Sequence, residues 1–440
     1  MIIENTAINL VPEVRCPNCW HAFAPESVLF IASSQDLAGD PRLEDPEERR
    51  RFVATRFRPD GAAVDEMGMD CRDLACPNCH LLVPRVLFEQ RATMFLSIFG
   101  RPQSGKSYLL AAMMRQSKRL LPQKFGLGFT EPHPPSNRLV QSYENSLFNH
   151  PDPEALVDIP KTMSADFGGR LWYQDVKFGD EIRRFPRPMF FQVVPLVNHP
   201  NGGKASQYAR TLCLYDNAGE DFEAGRQDKP NNPVTQHLAR SSGLMFVFDP
   251  TQEPAFLRAC HGRSADPQIE ANIKVSAGEI LDPQATILAT ADQNVKKFLG
   301  RPIAEPLETP LVVVVTKHDA WKHMLGGDLP AFIGEPKTGG ICGLQVAVIE
   351  EISQRLRGLL MQHTPEVVAA AQRFSRHVYF VPASATGCAP VQAGEQDGRP
   401  DYKFRAGSVS PYWIEVPLLW LLARHVQGLV PTEKRRPAAS

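Results

Sequence analysis

Residues 94–107 read Met94-Phe95-Leu96-Ser97-Ile98-Phe99-Gly100-Arg101-Pro102-Gln103-Ser104-Gly105-Lys106-Ser107. An apolar run stops at Gly100, and Gly100, Gly105, Lys106 and Ser107 complete the pattern G-x-x-x-x-G-K-S. The pattern has a mechanism. A strand delivers a loop whose backbone N–H groups converge on phosphate, the lysine reaches the terminal phosphates, and the serine hydroxyl ligates Mg2+. The helix that follows adds the partial positive charge of its N-terminus. The context agrees. Residues 94–99 have the length of a buried parallel strand. Residues 108–121 place Leu109, Leu110, Met113, Met114, Leu120 and Leu121 at spacings that pack a helix on a sheet. Gly100, Arg101, Gln103, Ser104, Gly105, Lys106, Ser107 and Tyr108 are therefore expected to line a phosphate site.

The rest of the composition limits the alternatives. The chain has 440 residues, enough for one large or two ordinary domains. Apolar residues make up 43% and charged residues 22%, as in a soluble globular protein. The formal net charge of −1 supplies no basic field, so nucleic acid is not an expected partner. The start, Met1-Ile2-Ile3-Glu4-Asn5-Thr6, lacks the basic and apolar regions of a signal peptide. No stretch approaches the roughly 18 apolar residues of a membrane span, and the expected compartment is the cytoplasm. The 39 prolines suggest long irregular insertions in a folded core.

Four of the nine cysteines fall in two copies of one tetrapeptide, Cys16-Pro17-Asn18-Cys19 and Cys76-Pro77-Asn78-Cys79. Two such turns can each present two sulfurs to one tetrahedral zinc. The separation of the turns is much longer than the roughly 15–20 residues of a compact ribbon. Residues 33–70, rich in Asp, Glu, Arg, Pro and Gly, read as a charged excursion from the ribbon, partly helical or disordered. Cytoplasmic disulfides are disfavoured, and a redox C-x-x-C needs no duplicate, so zinc is the expected occupant of Cys16, Cys19, Cys76 and Cys79. Cys71 and His80 are spare ligands. Cys213, Cys260, Cys342 and Cys388 stand singly and read as core.

A phosphate-loop protein also needs an acid for Mg2+ at the end of a neighbouring strand. Residues 208–215 form a strand candidate that runs into Asp216-Asn217-Ala218-Gly219. Asp216 is placed to hold the metal, and Gly219 to offer an N–H to the terminal phosphate. Two further apolar strands follow at 243–249 and 311–315. The second leads into Thr316-Lys317-His318-Asp319. An aspartate there can accept two hydrogen bonds from guanine, which adenine cannot donate, while Lys317 packs along the base. A last strand, 377–381, ends in Pro382-Ala383-Ser384-Ala385, where the Ala385 N–H can meet the guanine oxygen.

Phosphate loop, D-x-x-G, [NT]-K-x-D and S-A, in that order and each after a strand, resemble the translation-factor-related class of P-loop GTPases over residues 92–428. The loop Gly-Arg-Pro-Gln-Ser-Gly-Lys-Ser is similar to the G-R-P-N-x-G-K-S loop of Era-type and MnmE-type GTPases. The cysteine turns and long insertions resemble bacterial double-GTPase families inferred to act in conflict or defence systems. The resemblance implies an α/β fold: a P-loop GTPase sheet flanked by helices, with long insertions. It implies a zinc-ribbon module over 1–91. The polar composition of the chain's end reads as a disordered tail over 429–440. The implied ligands are GTP or GDP, Mg2+ on Ser107, Asp216 and a switch threonine, and structural Zn2+. A protein partner, such as a second GTPase, is also implied.

The pattern departs from the family in places. Where Ras-like members carry a water-orienting Gln, this chain has Glu220 followed by Asp221. A carboxylate can hold water, but its charge opposes phosphate, so intrinsic hydrolysis is expected to be slow. Some Era-type relatives hold K+ with a loop Asn. Gln103 stands there, its amide oxygen one methylene further out, which makes K+ a candidate cofactor. The expected catalytic set is Lys106, Ser107, Glu220 and Gln103. The switch threonine is Thr130 or Thr162, with Thr162 preferred because it precedes an expected edge hairpin of 171–178 and 189–196. No arginine finger stands out among Arg170, Arg183 and Arg184. Two alternatives to a GTPase switch remain: a guanine-nucleotide assembly module that hydrolyses little, and an RNA- or ribosome-associated GTPase.

Overall fold

The computed structural model describes residues 11–89, 91–159, 173–217, 232–276, 284–396 and 399–433. Its centre is a seven-stranded sheet. The strands are β1 (Ala92–Gly100), β2 (Leu127–Thr130), β3 (Met189–Pro195), β4 (Arg210–Asp216), β5 (Gly243–Phe248), β6 (Leu311–Val315) and β7 (Val378–Pro382). They lie in the order β7-β6-β5-β1-β4-β3-β2. The pairs β4/β1, β1/β5, β5/β6 and β6/β7 are parallel; β3 runs antiparallel between β4 and β2.

The strand sequences explain this layering. Every residue of β5 and β6 is buried, and the run Leu311-Val312-Val313-Val314-Val315 is β-branched almost throughout. Such strands suit the middle of a parallel sheet covered on both faces. The cover comes from α1 (Lys106–Leu120), α2 (Arg138–Phe148), α3 (Pro233–Arg240), α4 (Pro267–Ser276), α5 (Gln284–Leu299), α6 (Val346–His363), α7 (Pro365–Phe374) and α8 (Val416–His425). Helix α1 buries Leu109, Leu110, Met113 and Met114 and packs with α2; α5 packs with α3 and α7. Helix α8 buries Leu418, Leu419, Trp420, Leu421 and Leu422, so it closes the core.

Three sequence expectations change. The strand beginning at Tyr173 pairs with Glu181–Pro186, and β3 joins the main sheet instead of completing the edge hairpin. Gly179, at φ +64°, and Asp180 form the two-residue turn between those strands. A glycine first in such a turn matches the twist of a hairpin. Second, order runs past 428. Leu429 and Val430 are buried, and Leu344 exchanges backbone hydrogen bonds with Pro431 and Glu433 at 2.7 and 2.9 Å. Two apolar residues thus extend the packed chain into the expected tail; 434–440 lie outside the described residues.

Third, residues 33–70 fold as short strands and turns, with helix confined to one 3-10 turn at Gln35–Leu37. Arg51–Phe52 pairs with Leu29–Ile31, which also pairs with Leu74–Ala75, and Ala63–Val64 pairs with Asp70–Cys71. Buried carboxylates organise this stretch. Asp65 accepts from the backbone N–H groups of Ser33 and Ser34 at 3.1 Å each, and of Met67 and Met69 at 3.1 and 2.8 Å. Burial acts to raise its pKa, but these amides outweigh it and hold the carboxyl below its ordinary value. Asp40 accepts from Arg42 and Arg51 N–H and contacts His80 Nδ1. Two of the charges in this stretch, Asp40 and Asp65, are internal acceptors.

A second apolar cluster joins the N-terminal module to the sheet. It combines Val14, Trp20, Leu81 and Phe88 with Phe190 of β3 and Cys213 and Tyr215 of β4. The main core instead centres on β1, β5 and β6, where Phe246 is fully buried with its ring 5.2 Å from that of Phe99. Phe246→Ala is expected to cost about 3–5 kcal/mol, read as a lower midpoint in urea unfolding without a change of slope.

Candidate functional site

The C-terminal ends of β1, β4, β5, β6 and β7 lie along one edge, where open α/β sheets place their ligands. Gly100 ends β1 at φ +155°, and a Cβ there would lie 2.4 Å from the Val247 carbonyl oxygen of β5. Only glycine allows this approach. In the loop beyond, Gln103 and Gly105 adopt φ +62° and +92°. Helix α1 starts at Lys106, whose Nζ donates to the carbonyls of Gly100 (3.0 Å) and Arg101 (2.8 Å), folding the ammonium across the loop. Ser104 Oγ is buried with no hydrogen-bond partner. Ser107 follows in the first turn of α1.

Asp216 ends β4 opposite Ile98 of β1. Asn217 fixes that end, donating to Ile98 O from its backbone N (3.0 Å) and its Nδ2 (3.1 Å). Asp216 Oδ1 is buried without a hydrogen-bond partner. Burial pushes the carboxyl up to about 6, and the nearby Lys106 charge pulls in the opposite direction. An orphaned carboxylate oxygen beside the loop is a donor atom suited to a hard cation. Thr162, Gly219 and Glu220 lie outside the described residues. Thr130 is exposed at the end of β2.

The loops after β6 and β7 form the other half of the site. Thr316 Oγ1 donates to the Ser104 carbonyl at 3.0 Å, binding the Thr-Lys-x-Asp segment directly to the phosphate-type loop. Lys317 sits at φ +55° with Nζ 2.8 Å from Asp249 Oδ2 and 3.1 Å from Gln268 Oε1. Burial disfavours its charge, but Asp249 more than compensates and raises the pKa. Asp319 Oδ1 accepts from Ser384 Oγ, which itself accepts from the Gly387 N–H at 2.8 Å. Burial pushes Asp319 up to about 6, against the Ser384 hydrogen bond. The His318 N–H donates to Ala383 O at 3.2 Å, holding the two loops together beside Ala385.

The structure thus brings Gly100–Ser107, Asp216, Thr316, Lys317, Asp319, Ser384 and Ala385 to one edge. Tyr108 is turned to another use. Its hydroxyl accepts from the Ile159 N–H at 3.0 Å, and its ring meets Phe404 at 5.7 Å, in the cluster of Leu139, Tyr143 and Leu147. Arg183 and Arg184 pair with Glu181 and Asp175 on the hairpin. Asp249, Gln252 and Gln268 carry roles with no sequence expectation; Gln252 Nε2 donates to Gln103 O at 3.0 Å. An acid ending a buried parallel strand was the available signal for Asp249.

Cys16, Cys19, Cys76 and Cys79 converge, with all four sulfurs within 4.8 Å of one another. The Cys16–Cys79 and Cys19–Cys76 sulfurs are each 3.7 Å apart. A tetrahedron with Zn–S bonds of about 2.3 Å has edges of about 3.8 Å, so the donor set fits that ion. The two turns repeat each other. Asn18 and Asn78 each donate a backbone N–H to the preceding cysteine sulfur at 3.4 Å, and Trp20 and His80 both adopt φ +61°. Burial pushes the Cys16 and Cys79 thiols well up, whereas the hydrogen bond from Cys16 helps hold Cys19 well below its ordinary value. The spare ligands go elsewhere: Cys71 Sγ contacts Asp65 at 3.6 Å, and His80 Nδ1 contacts Asp40 at 2.9 Å.

No protein-family profile and no curated protein matches the chain. Among solved structures it is similar to a crystal structure of a variant of Era from Aquifex aeolicus bound to GDP·AlF4−, at 15% identity and a TM-score of 0.20. The match covers 67% of this chain and 52% of that one, so the chain spans about half the length of that protein. A likeness this slight says nothing about activity; the side chains at the sheet edge have to.

Gly100→Ala is expected to force β1 and β5 apart and to cost about 1–3 kcal/mol. Differential scanning calorimetry would register this as a lower unfolding temperature, whereas Gly394→Ala, with open space around the added methyl, should be near neutral.

Proposed function

We propose that the chain binds guanine nucleotide and hydrolyses GTP to GDP with Mg2+, acting as a regulatory switch. The observation that carries this reading is the hydrogen bond from Thr316 Oγ1 to Ser104 O. It joins a loop shaped for phosphate to a loop whose half-buried carboxylate, Asp319, suits the paired N–H donors of guanine. A nucleotide spanning the two would meet the N–H groups of residues 103–107 at its phosphates and Asp319 at its base. Lys106, released from the Gly100 and Arg101 carbonyls, would neutralise charge on the terminal phosphates. Ser107 and Asp216 would hold Mg2+, which when bound offsets phosphate charge. Thr162 and Gly219 belong to this proposal as the residues that sense the terminal phosphate.

Glu220 and Gln103 complete it, Glu220 as the holder of water and Gln103 as a K+ ligand. The zinc module is proposed as a protein-contacting staple. A defence role, with a second GTPase as partner, rests on resemblance of the cysteine turns and insertions alone. Lys106→Ala is expected to lower GTP turnover about 10- to 150-fold, since a charge-assisted contact is worth roughly 1.5–3 kcal/mol. Phosphate release in KCl and in NaCl would measure both this loss and the K+ contribution. Turnover no faster than buffer in the native chain, with nucleotide still bound, would favour the assembly module.

Asp319 must be ionised to accept both base protons. Its carboxyl titrates at about 6, raised by burial, so protonation competes with guanine below that pH. GDP affinity is expected to be flat above about pH 7 and to fall roughly tenfold per unit below about 6. Asp319→Ala should weaken GDP at least about 100-fold, two charged hydrogen bonds of roughly 1.5–3 kcal/mol each being lost, and should flatten this part of the profile. Isothermal titration between pH 5 and 8 checks both outcomes.

A further inference from the structure

The first cysteine turn reaches into the nucleotide half of the molecule. Pro17 and Asn18, the residues between Cys16 and Cys19, present their carbonyl oxygens to the main domain. The Tyr215 hydroxyl donates to Pro17 O, and His237 Nε2 lies 3.2 Å from Asn18 O. His237 Nδ1 has no partner, so Nε2 carries the donated proton. The two rings stack with centroids 4.0 Å apart and planes 14° from parallel. Trp20, next after Cys19, closes the contact against Phe95 of β1 at 4.6 Å and His237 at 6.0 Å. Tyr215 and His237 are both fully buried. Losing either carbonyl would leave a buried polar group unmatched, which costs about 1–3 kcal/mol.

The placement of these two anchors matters. Tyr215 is the residue before Asp216 on β4, and successive strand side chains point to opposite faces. The residue that grips the cysteine turn and the residue that faces the phosphate loop therefore share one peptide unit. His237 lies on α3, the next described element after Asn217. One turn of the module thus holds the chain at both of these positions.

We propose that the Cys16–Cys19 turn is a positioning element for the nucleotide site: zinc held by Cys16, Cys19, Cys76 and Cys79 fixes Tyr215 and His237, and through them Asp216 and α3, so that zinc binding and guanine-nucleotide binding are coupled. The proposal rests on the guanine-nucleotide reading given above. The metal would add to these hydrogen bonds and to the Trp20 packing a tie between the two cysteine turns, which brings the Pro17-Asn18 backbone under the control of all four sulfurs. Coupling of this kind is reciprocal: the factor by which zinc changes nucleotide affinity equals the factor by which nucleotide changes zinc affinity.

The zinc-loaded full chain provides the test. Zinc affinity is measured by competition with a chromophoric chelator, alone, with Mg2+ and GDP, and with Mg2+ and a non-hydrolysable GTP analogue. Nucleotide affinity is measured in parallel by titration with fluorescent mant-GDP. At least one nucleotide is expected to change zinc affinity by about fivefold or more. Tyr215→Phe keeps the stacked ring and removes only the hydroxyl. It should retain zinc and fold while its coupling factor falls towards one. Equal zinc affinity with and without nucleotide, in a chain that binds mant-GDP, overturns the coupling and leaves the guanine site standing. Undiminished coupling in the zinc-loaded Tyr215→Phe protein overturns the route through Pro17. Failure of the zinc-loaded chain to bind mant-GDP overturns the guanine reading itself, and the coupling with it.

Discussion

Parallel pairing in one register is the constraint on which everything else depends. The ladders that align β1 with β4 and β5, β5 with β6, and β6 with β7 bring five strand ends to the same edge. Each end then delivers a residue of the site from a buried apolar run: the side-chain-free Gly100, and the polar Asp216, Asp249, Thr316 and Ser384. The tightest point is Gly100 against the Val247 carbonyl, where two backbones meet without a side chain between them. Were that contact to open, the loop, its tie to Thr316 and the Lys106 contacts to the Gly100 and Arg101 carbonyls would shift together.

The arrangement stores uncompensated electrostatics. Asp216 and Asp319 both have carboxyls near 6 in the fold against 3.8 for the ordinary group, raised chiefly by burial. A folded-state value above the unfolded one means that these groups favour the fold fully below about pH 4. That contribution is lost as pH rises through about 6. At neutral pH the ligand-free edge therefore carries buried negative charge at a cost. Cations or hydrogen-bond donors arriving from a ligand would offset it, as is common where function and stability compete.

Most of this edge was legible because it is local chemistry. A glycine-bounded loop after an apolar run, or an acid after a strand, announces itself within a few residues, and Thr316, Asp319 and Ser384 fall where that pattern puts them. What escaped depends on contacts far apart in sequence. Lys317 answers to Asp249 and Gln268, Gln103 to Gln252, and Tyr108 to Ile159 and Phe404, pairings that no spacing encodes. The stretch 33–70 misled for a related reason. Its composition reads as solvated, yet Asp40 and Asp65 spend their charge on buried amides. The apolar run of β3 suits an edge hairpin with 171–178 by sequence alone, but the Gly179-Asp180 turn hands that partner to Glu181–Pro186 and leaves β3 to the main sheet.

The two cysteine turns share a backbone shape but not an allegiance. At the corner of each, where glycine would sit without strain, stands a side chain at φ +61°: Trp20 in one and His80 in the other. A left-handed residue of this kind costs roughly 1–2 kcal/mol. Trp20 reaches into the sheet beside Phe95, and His80 reaches back to Asp40 within the module. Each corner gives up conformational comfort for reach. The same fold of chain, used twice, thereby ties one sulfur pair to the body of the protein and the other to its own outlying loop.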